Sequence, residues 1–587
     1  MIRKRILHFL VPLLSITVIC RAEKPNLILI YTDDHGYADL GIHGVRDDIK
    51  TPHLDALARS GVVAKNGYST APQCVPSRGG LLTGRFQGRF GLDSNNSPLD
   101  GFNQQTTVAE RLRDAGYETA QFGKWHLGPT TEIPVHGFKH VFSQNAQRPF
   151  SANITLDGQD RPMGDLPPTS YHIDACSQSA AAIIERYHDQ PFFLYLAYRA
   201  PHTPLDAPQS YKDRFPGEMP ERRRAALGML AAIDDGVGLI TETLKKHGLT
   251  EKTLIFFIGD NGAPLKIHQI DSPLQGDAGG WDGSINEPMN GEKGMLSEGG
   301  MHVPFLIAWP GTIPGGQVYD PAVSALDVAA TAAAIAGIGT KPGDLDGVNL
   351  IPHLKGEVTT PPHEALHWRW MAQSAIREGN WKLLRGGERE YLYDLATDPG
   401  EKRNLAPEHP DKATSLREKL TTWCAELDPP GLALGPMAQT WNDYFDHYLE
   451  GKTVAPPAEK GLPSSTAVRG WEARGGTLVE QDGVIIFTSE KKGKGGFLTK
   501  SRTKLAGPVA VRLELKASAG TGSVAWRVEG DKDFLPDNRI TFTLDESDDW
   551  QMREFVLPAT APVIHLRVHP PGSGAQFRIL QFKPAAP

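Results

Sequence analysis

The sequence has few cysteines, no excess of basic residues and only one long apolar run. Its net charge of -8 and pI near 6.2 give no support for a general nucleic-acid binder, which needs a strong basic excess. This acidity does not exclude an anionic substrate, because a site needs only local positive charge. A length of 587 residues is too great for one ordinary domain, so two or three folding units are expected.

The one long apolar run lies at the N-terminus and predicts an export signal. Residues 3–5 are basic, residues 6–19 are apolar, and the residues ending at Ala22 suit a signal peptidase. The run is shorter than the roughly 20 residues of a membrane span, so residues 1–22 are interpreted as a cleaved signal peptide. Lipid attachment at Cys20 is disfavoured because the two residues before it are not small. We therefore expect an exported protein, periplasmic or extracellular, with no stable membrane anchor.

Cleavage after residue 22 would leave three cysteines, Cys74, Cys176 and Cys424. An odd number allows one disulfide at most and leaves one cysteine over. Cys74 lies in the stretch APQCVPSRGGLLTGR, where Pro76 suits the first turn of a helix. Backbone N–H groups at such a helix start favour an anion, and Arg78 adds positive charge one turn on. The stretch predicts a reactive cysteine that faces an anion site.

Short apolar runs alternate with helical patterns between residues 25 and 345, which predicts an α/β fold with a mostly parallel sheet flanked by helices. The expected strands are 26–31, 118–122, 192–198, 253–258 and 305–309, and the expected helices are 108–115, 177–188, 222–246 and 327–336.

The pattern changes after residue 345. Short strand-like pieces and a helix at 413–427 predict a small α+β subdomain over 346–450. Residues 451–466 are rich in proline and small polar residues and are typical of a linker. Alternating apolar and polar residues beyond it predict an additional all-β sandwich domain over 467–587. We find no internal repeat.

Polar side chains follow four of the expected strands, and ligands bind beyond the carboxyl ends of strands in open α/β sheets. In strand order they are Asp33 and Asp34, then Lys124 and His126, then His202, and finally Asp260 and Asn261. The aspartates and the asparagine form an all-oxygen set suited to Ca²⁺ or Mg²⁺. Each acidic pair could simply begin a loop or cap a helix, but two pairs at matching strand ends favour a metal site. Each of the remaining polar residues, taken alone, could be an ordinary loop residue; these are Lys124, His126, His202 and Lys293.

Five blocks of the sequence, spread over about residues 25–450, resemble the signatures of formylglycine-dependent sulfatases, which belong to the alkaline-phosphatase-like superfamily. The blocks are DDHGYADLG at 33–41, CVPSR at 74–78 with LTGR at 82–85, GKWHLG at 123–128, GDNG at 259–262 and EGGMHVPF at 298–305. The resemblance implies an alkaline-phosphatase-like catalytic domain over 25–345 and a sulfatase C-terminal subdomain over 346–450.

The resemblance also implies how the site is assembled. A dedicated formylglycine-generating enzyme would oxidise Cys74 to formylglycine, whose hydrated aldehyde is the nucleophile. Calcium, in preference to magnesium, would be bound by the modified residue together with Asp33, Asp34, Asp260 and Asn261.

The same resemblance implies the roles of the remaining polar residues. Arg78 would hold the formylglycine hydrate, while Lys124 and Lys293 would bind sulfate oxygens. His126 would help to remove a proton from the hydrate, and His202 would protonate the leaving oxygen. Charge stabilisation by a metal and lysines, and a positioned acid for a poor alkoxide leaving group, suit the hydrolysis of a sulfate ester.

The chain departs from the family pattern in two places. His302 stands where the family often has arginine, and the polar residue expected after HGF is one of Ser143, Gln144 and Asn145. Two other functions stay open. One is a phosphonate monoester or phosphodiester hydrolase, since some superfamily members share the Cys-x-Pro-Ser-Arg signature. The other is a glycan-binding protein that has lost catalysis.

The expected substrate is a sulfated carbohydrate. The insert between Asp260 and Lys293 is rich in glycine and polar residues. Its composition resembles that of the corresponding segment in sulfatases acting on sulfated galactans such as carrageenan. The insert offers Lys266, His268, Trp281 and Asn286 for sugar hydroxyls and sulfates. Residues 368–370, Trp-Arg-Trp, could form a subsite wall or pack a core. Trp471, Trp526 and Trp550 of the tail could stack on sugars or fill the core of the sandwich.

Overall fold

The structure is a computed structural model with two compact units, Met1–Ala455 and Pro456–Pro587. It describes residues 24–144, 154–156, 159–161, 171–265, 283–428, 439–454, 468–469, 471–481, 483–489, 496–529, 531, 534–547 and 549–585. The predicted signal peptide, most of the predicted linker, Asn145 and three insert residues (Lys266, His268 and Trp281) lie outside these ranges. Among the described helices, none is long and apolar enough to cross a membrane.

The first unit contains a large sheet, a two-stranded sheet and a four-stranded sheet. Its strands are β1 (Asn26–Asp33), β2 (Val62–Ala64), β3 (Gly67–Tyr68), β4 (Glu118–Lys124), β5 (His140–Gln144), β6 (Ile154–Leu156), β7 (Gln159–Arg161), β8 (Phe192–Pro201), β9 (Thr253–Gly259), β10 (Phe305–Ala308), β11 (Gln317–Tyr319), β12 (Val323–Ser324), β13 (Leu366–Trp370), β14 (Gln373–Glu378), β15 (Trp381–Gly386) and β16 (Arg389–Asp394).

Helices cover the sheets of this unit. They are α1 (Pro52–Ser60), α2 (Cys74–Thr83), α3 (Asp100–Asn103), α4 (Val108–Asp114), α5 (His172–Arg186), α6 (Gln209–Lys212), α7 (Glu221–Lys246), α8 (Glu298–Met301), α9 (Asp327–Ile335), α10 (Ile351–Leu354), α11 (Pro410–Ala425) and α12 (Gln439–Tyr448). The predicted helix near 108 is confirmed, with a capping box between Thr107 and Glu110 at its start.

The large sheet has the order β11-β2-β10-β9-β1-β8-β4-β5-β6-β7. Its five central strands run parallel to one another, in line with the predicted mostly parallel sheet; in spatial order they are β9, β1, β8, β4 and β5. By contrast, β10, β6 and β7 pair antiparallel to their neighbours. All eight residues of β1 are buried, because separate apolar clusters pack on the two faces of the sheet. Continuous burial of this kind explains why β1, β8 and β9 are near-continuous apolar runs and do not alternate.

The small four-stranded sheet, β13-β14-β15-β16, is antiparallel and packs against α11, which agrees with the predicted α+β texture. Trp368 and Trp370 are 3% and 0% exposed, so these tryptophans pack the core and form no subsite wall. Arg369 is also buried, and its guanidinium donates to the carbonyl oxygen of Asp428 at 2.7 Å. That contact leaves it no role as an exposed sugar-binding arginine.

The second unit is an all-β sandwich, as predicted. Its strands are β17 (Glu472–Arg474), β18 (Gly476–Gln481), β19 (Val484–Ser489), β20 (Phe497–Leu505), β21 (Val509–Ala517), β22 (Gly520–Val528), β23 (Arg539–Leu544), β24 (Gln551–Leu557), β25 (Val563–His569) and β26 (Gly574–Pro584). They form two antiparallel sheets, β17-β20-β25-β22-β23 and β18-β19-β26-β21-β24, around one apolar cluster. Trp471 and Trp526 lie in that cluster, which confirms the core-packing interpretation for both.

Candidate active site

The carboxyl ends of four neighbouring parallel strands bring polar side chains to one edge of the large sheet. Asp33 is the last residue of β1 and Lys124 is the last residue of β4. His202 follows β8 directly, and Asp260 follows β9. Since these strands are adjacent in the sheet, residues far apart in sequence meet here.

The helix α2 delivers the cysteine to this edge. It begins at Cys74, as predicted, and all of its residues are buried. The thiol donates to Oδ1 of Asp33 at 3.4 Å. A Cβ at Gly80 would lie 2.5 Å from the Thr70 hydroxyl oxygen, so glycine is required for the helix to pack this closely.

Arg78 lies one turn along α2 and links two of the aspartates. Its Nη2 is 2.7 Å from Oδ2 of Asp260 and 3.5 Å from Oδ1 of Asp33. Its Nη1 donates to the hydroxyl of Tyr195 at 3.3 Å, and the guanidinium lies 5.3 Å from the ring centre of Tyr31. The two tyrosines are contacts that the sequence did not single out, because both appear there as ordinary residues of apolar strands.

Two lysines complete the charge balance of the site. Nζ of Lys124 is 2.6 Å from Oδ2 of Asp33, and Nζ of Lys293 is 2.7 Å from Oδ2 of Asp34. Despite the cost of burial, Lys124 and the nearby cations hold the pKa of Asp33 well below its usual value. Burial and the charge of Asp33 raise the pKa of Asp260 to about 7, against the effect of Arg78.

Several of these side chains could together hold a metal ion. Ligand atoms of Asp33, Asp34, Cys74 and His202 lie within 4.8 Å of one another. Asn261 donates through its side-chain nitrogen to Oδ1 of Asp34 at 2.6 Å, while its own Oδ1 is buried and has no hydrogen-bond partner among the described residues. A buried amide oxygen without a partner and converging carboxylates are what a Ca²⁺ or Mg²⁺ ion would satisfy.

The two predicted histidines are both close to this cluster. His126 follows β4 with a positive φ of 63°, and its Nδ1 is buried without a partner among the described residues. Nε2 of His202 is 3.6 Å from Oδ2 of Asp34, and its Nδ1 donates to the carbonyl oxygen of Thr203 at 2.6 Å. Burial lowers the pKa of both rings well below the usual value, so both are neutral at neutral pH.

The thiol itself is held in its protonated form. Burial raises the pKa of Cys74 well above its ordinary value, although Lys124 and Lys293 act in the opposite direction. A protonated thiol is a poor nucleophile. All three described cysteines, Cys74, Cys176 and Cys424, are free.

The loop that carries Lys293 is held by a residue the sequence analysis did not identify. The side-chain amide of Gln373, in β14, accepts from the N–H of Leu296 at 3.0 Å and donates to the carbonyl oxygen of Gly294 at 2.9 Å. The N–H of Gly294 in turn donates to the carbonyl oxygen of Pro72 at 2.9 Å. A buried strand of the small sheet thereby fixes the lysine loop against the segment before α2.

Other residues that the sequence placed near the site are engaged elsewhere. His302 is buried, with its Nδ1 3.0 Å from Oε2 of Glu298 and its Nε2 2.8 Å from the carbonyl oxygen of Lys65. Ser143 donates to the carbonyl oxygen of Gly123 at 2.6 Å. Asn286 donates to the carbonyl oxygens of Ala263 and Gly291, so it supports the loop backbone.

Comparison with known proteins shows the family to which this chain belongs. Residues 25–338 match the family described as sulfatase, which is more than half of the chain. The chain belongs to the sulfatase family. Residues 291–427 match the family described as N-sulphoglucosamine sulphohydrolase, C-terminal.

Relatives of this sulfatase carry the same activity in their names. Human N-acetylgalactosamine-6-sulfatase is 31% identical over 420 residues, which cover 62% of this chain and 74% of that protein. Human arylsulfatase A is 31% identical over 453 residues, covering 65% of this chain and 84% of that protein. The chain is therefore a sulfuric ester hydrolase.

Solved structures agree with this fold. A crystal structure of Ps i-CgsB in complex with k-i-k-neocarrahexaose matches this sulfatase with a TM-score of 0.61 at 30% identity, covering 72% of this chain and 97% of that chain. Phosphonate monoester hydrolase of Agrobacterium radiobacter matches with a TM-score of 0.51 at 23% identity, covering 68% and 96%. The second likeness shows the shared fold alone.

Proposed function

We propose that this sulfatase is an exported enzyme that removes sulfate from sulfated galactan oligosaccharides, with a formylglycine made from Cys74 and a bound calcium ion. The observation that carries the proposal is the convergence of three carboxylates, an amide oxygen and five cationic or imidazole side chains around Cys74. The choice of galactan rests on the likeness to Ps i-CgsB, whose structure holds a neocarrahexaose.

The metal would be held by Asp33, Asp34, Asp260, Asn261 and the modified residue 74. When bound, the cation would draw negative charge from the sulfate oxygens and so favour attack at sulfur. Ion pairs that now join Lys124 and Lys293 to the aspartates would be replaced by contacts of these lysines with sulfate oxygens.

Protons would be moved by the two histidines. His126 is neutral, because burial lowers its pKa, so its ring can accept a proton from the nucleophile. His202 has Nδ1 committed to Thr203, so Nε2 is the atom that would take up a proton when the anionic substrate binds and then deliver it to the departing sugar oxygen. Oxidation of Cys74 by a separate formylglycine-generating enzyme would supply the nucleophilic oxygen that its protonated thiol cannot provide.

Parallel substrate assays test the proposal. The full chain, coexpressed with a formylglycine-generating enzyme, is incubated with sulfated galactan oligosaccharides, and released sulfate is measured by ion chromatography. We expect release of sulfate from the oligosaccharides and much slower turnover of a phosphonate monoester. A clear preference for the phosphonate would favour the phosphonate hydrolase alternative, and no turnover of either would favour a glycan-binding protein.

Mass spectrometry tests the modification independently of activity. The peptide containing Cys74 should lose the thiol and gain an aldehyde in active protein. As a control, Cys424 should remain a thiol in the same digest, because it lies outside the site. Full activity in protein whose Cys74 is entirely unmodified would refute the formylglycine mechanism.

A further inference from the structure

One face of the second unit carries guanidinium, imidazole and aromatic side chains together. In the sheet β17-β20-β25-β22-β23, Leu498, Val524 and Val568 point into the core of the sandwich. Side chains alternate between the two faces of a strand, so their neighbours face outward. We call the outward group the basic patch, and its members are Phe497, Arg527, Arg539, His565, Arg567 and His569.

The register of the strands aligns the charged members of the basic patch. Arg567 is paired with Ala525 on the neighbouring strand, and Ala525 is paired with Arg539 on the strand after it. Two strand spacings separate the two arginines by about 10 Å. Arg527 lies directly opposite His565 in the same sheet. The positive charges therefore form rows across a sheet surface and are not scattered.

Aromatic rings hold Arg567 in place. Its guanidinium carbon lies 3.9 Å from the ring centre of Phe534 and 5.1 Å from that of Phe497. Neither Arg567 nor Arg539 makes an ion pair with a carboxylate of the described residues. The carboxylate of Glu472, at the edge of this face, is paired with Arg474, since its Oε2 lies 3.3 Å from Nη2 of that arginine. A stacked guanidinium without a carboxylate keeps its forked donors available for an oxyanion.

Electrostatics within the patch are consistent with this positive character. Burial, then the charges of Arg539 and Arg567, lower the pKa of His569. Burial, then Arg527 and Arg567, lower the pKa of His565 against the effect of Glu472. The tail has a small basic excess although the whole chain is acidic at -8.

We infer that the basic patch binds the sulfate groups of a sulfated polysaccharide and is a site that shares no residue with the candidate active site. The choice of sulfate as the anion rests on the proposed function, because the same chain hydrolyses sulfate esters. Planar guanidinium groups bind tetrahedral oxyanions through paired donors, and aromatic rings suit the apolar faces of sugars. The acidic chain as a whole fits a nucleic acid less well.

Binding to a matched pair of polymers tests this site. Affinities of the full chain for a soluble sulfated galactan and for the same galactan after desulfation are measured by calorimetry at low ionic strength. The variant Arg539→Glu/Arg567→Gln should bind the sulfated polymer about tenfold more weakly. Arg512→Glu is the control, because Arg512 is an exposed arginine of the other sheet, paired with Glu554. Arg539→Glu alone is measured as well, since its side chain is exposed and carries little packing.

Each outcome decides the inference. Equal binding of the two polymers, or equal weakening by the control variant, would overturn it, and so would tighter binding of a single-stranded RNA that the same variant abolishes. Turnover of a small aryl sulfate should stay unchanged in all variants. Sulfate-dependent binding by a chain that releases no sulfate from the galactan would refute the proposed function and leave this inference standing.

Discussion

At the scale of single residues, the ring of His202 has only one nitrogen available for catalysis. Its Nδ1 donates to a backbone carbonyl, which leaves Nε2 facing Asp34. Burial lowers the pKa of His202, whereas the charge of Asp33 favours the protonated ring. A bound sulfate adds negative charge beside the ring, so substrate binding itself promotes the protonated form that donates to the leaving group.

We expect His202→Ala to affect substrates according to their leaving groups. Release of sulfate from a sugar should slow by about 10²–10⁴-fold, because an alkoxide needs a proton as it departs. A nitrophenyl sulfate should slow much less, since nitrophenolate leaves unprotonated. The measurement is kcat/KM for both substrates. His363→Ala, which removes an imidazole paired with Asp327, is the control and should not distinguish them. Equal losses in His202→Ala would contradict its role as an acid.

At the scale of elements, β14 supports catalysis without touching the reacting atoms. Gln373→Leu would remove both hydrogen bonds that hold the loop of Lys293 and leave a buried N–H and a buried carbonyl without partners. We expect kcat to fall on the order of tenfold, and stability to fall by about 2–3 kcal/mol. Stopped assays on an aryl sulfate, with thermal unfolding measured alongside, report both effects.

Asn26→Leu is the matched control for that variant. Asn26 is also a buried amide with two contacts, to the N–H of Phe192 and the hydroxyl of Thr253, but it lies at the other end of β1. It should lose similar stability while kcat stays near the wild-type value. If both variants lose kcat to the same extent, Gln373 acts through general stability and not through the position of Lys293.

At the scale of the whole molecule, metal binding should contribute to folding stability. An ion held only by the native state stabilises it by about 2.7 kcal/mol at 100 times its dissociation constant. Chelation should therefore lower the Tm of the catalytic unit by a few degrees and abolish turnover, with recovery on adding Ca²⁺. Asp260→Ala should show low activity and no response of Tm to chelator. Undiminished activity after exhaustive chelation would contradict the metal site.

The second unit is expected to be an accessory domain. It contains none of the residues gathered at the candidate active site, and it has an apolar core of its own. A chain ending at residue 454 should turn over a small aryl sulfate within a few-fold of the full chain. Circular dichroism first checks that the truncated chain is folded. Complete loss of turnover in a folded truncated chain would show that the tail takes part in catalysis.

Local pattern in the sequence was sufficient for the fold class and for much of the candidate site. Short apolar runs predicted β1, β4, β8, β9 and β10 within a few residues, whereas β5 was not predicted. Pro76 located the first turn of α2, and the polar residues after four of the predicted strands identified the edge where they meet. These features depend on neighbours in sequence, so the sequence alone reveals them.

Tertiary structure alone decided which distant groups touch. Arg78 contacts Asp260, which lies 182 positions away in the sequence. Gln373 contacts two residues of the Lys293 loop that lie 77 and 79 positions away. Burial of Trp370 in a core, like the stacking of Arg567 between two phenylalanines, depends on how elements pack. Sequence periodicity records only whether a side chain faces a core or solvent, whereas the identity of its partner is set by the packing of whole sheets and helices.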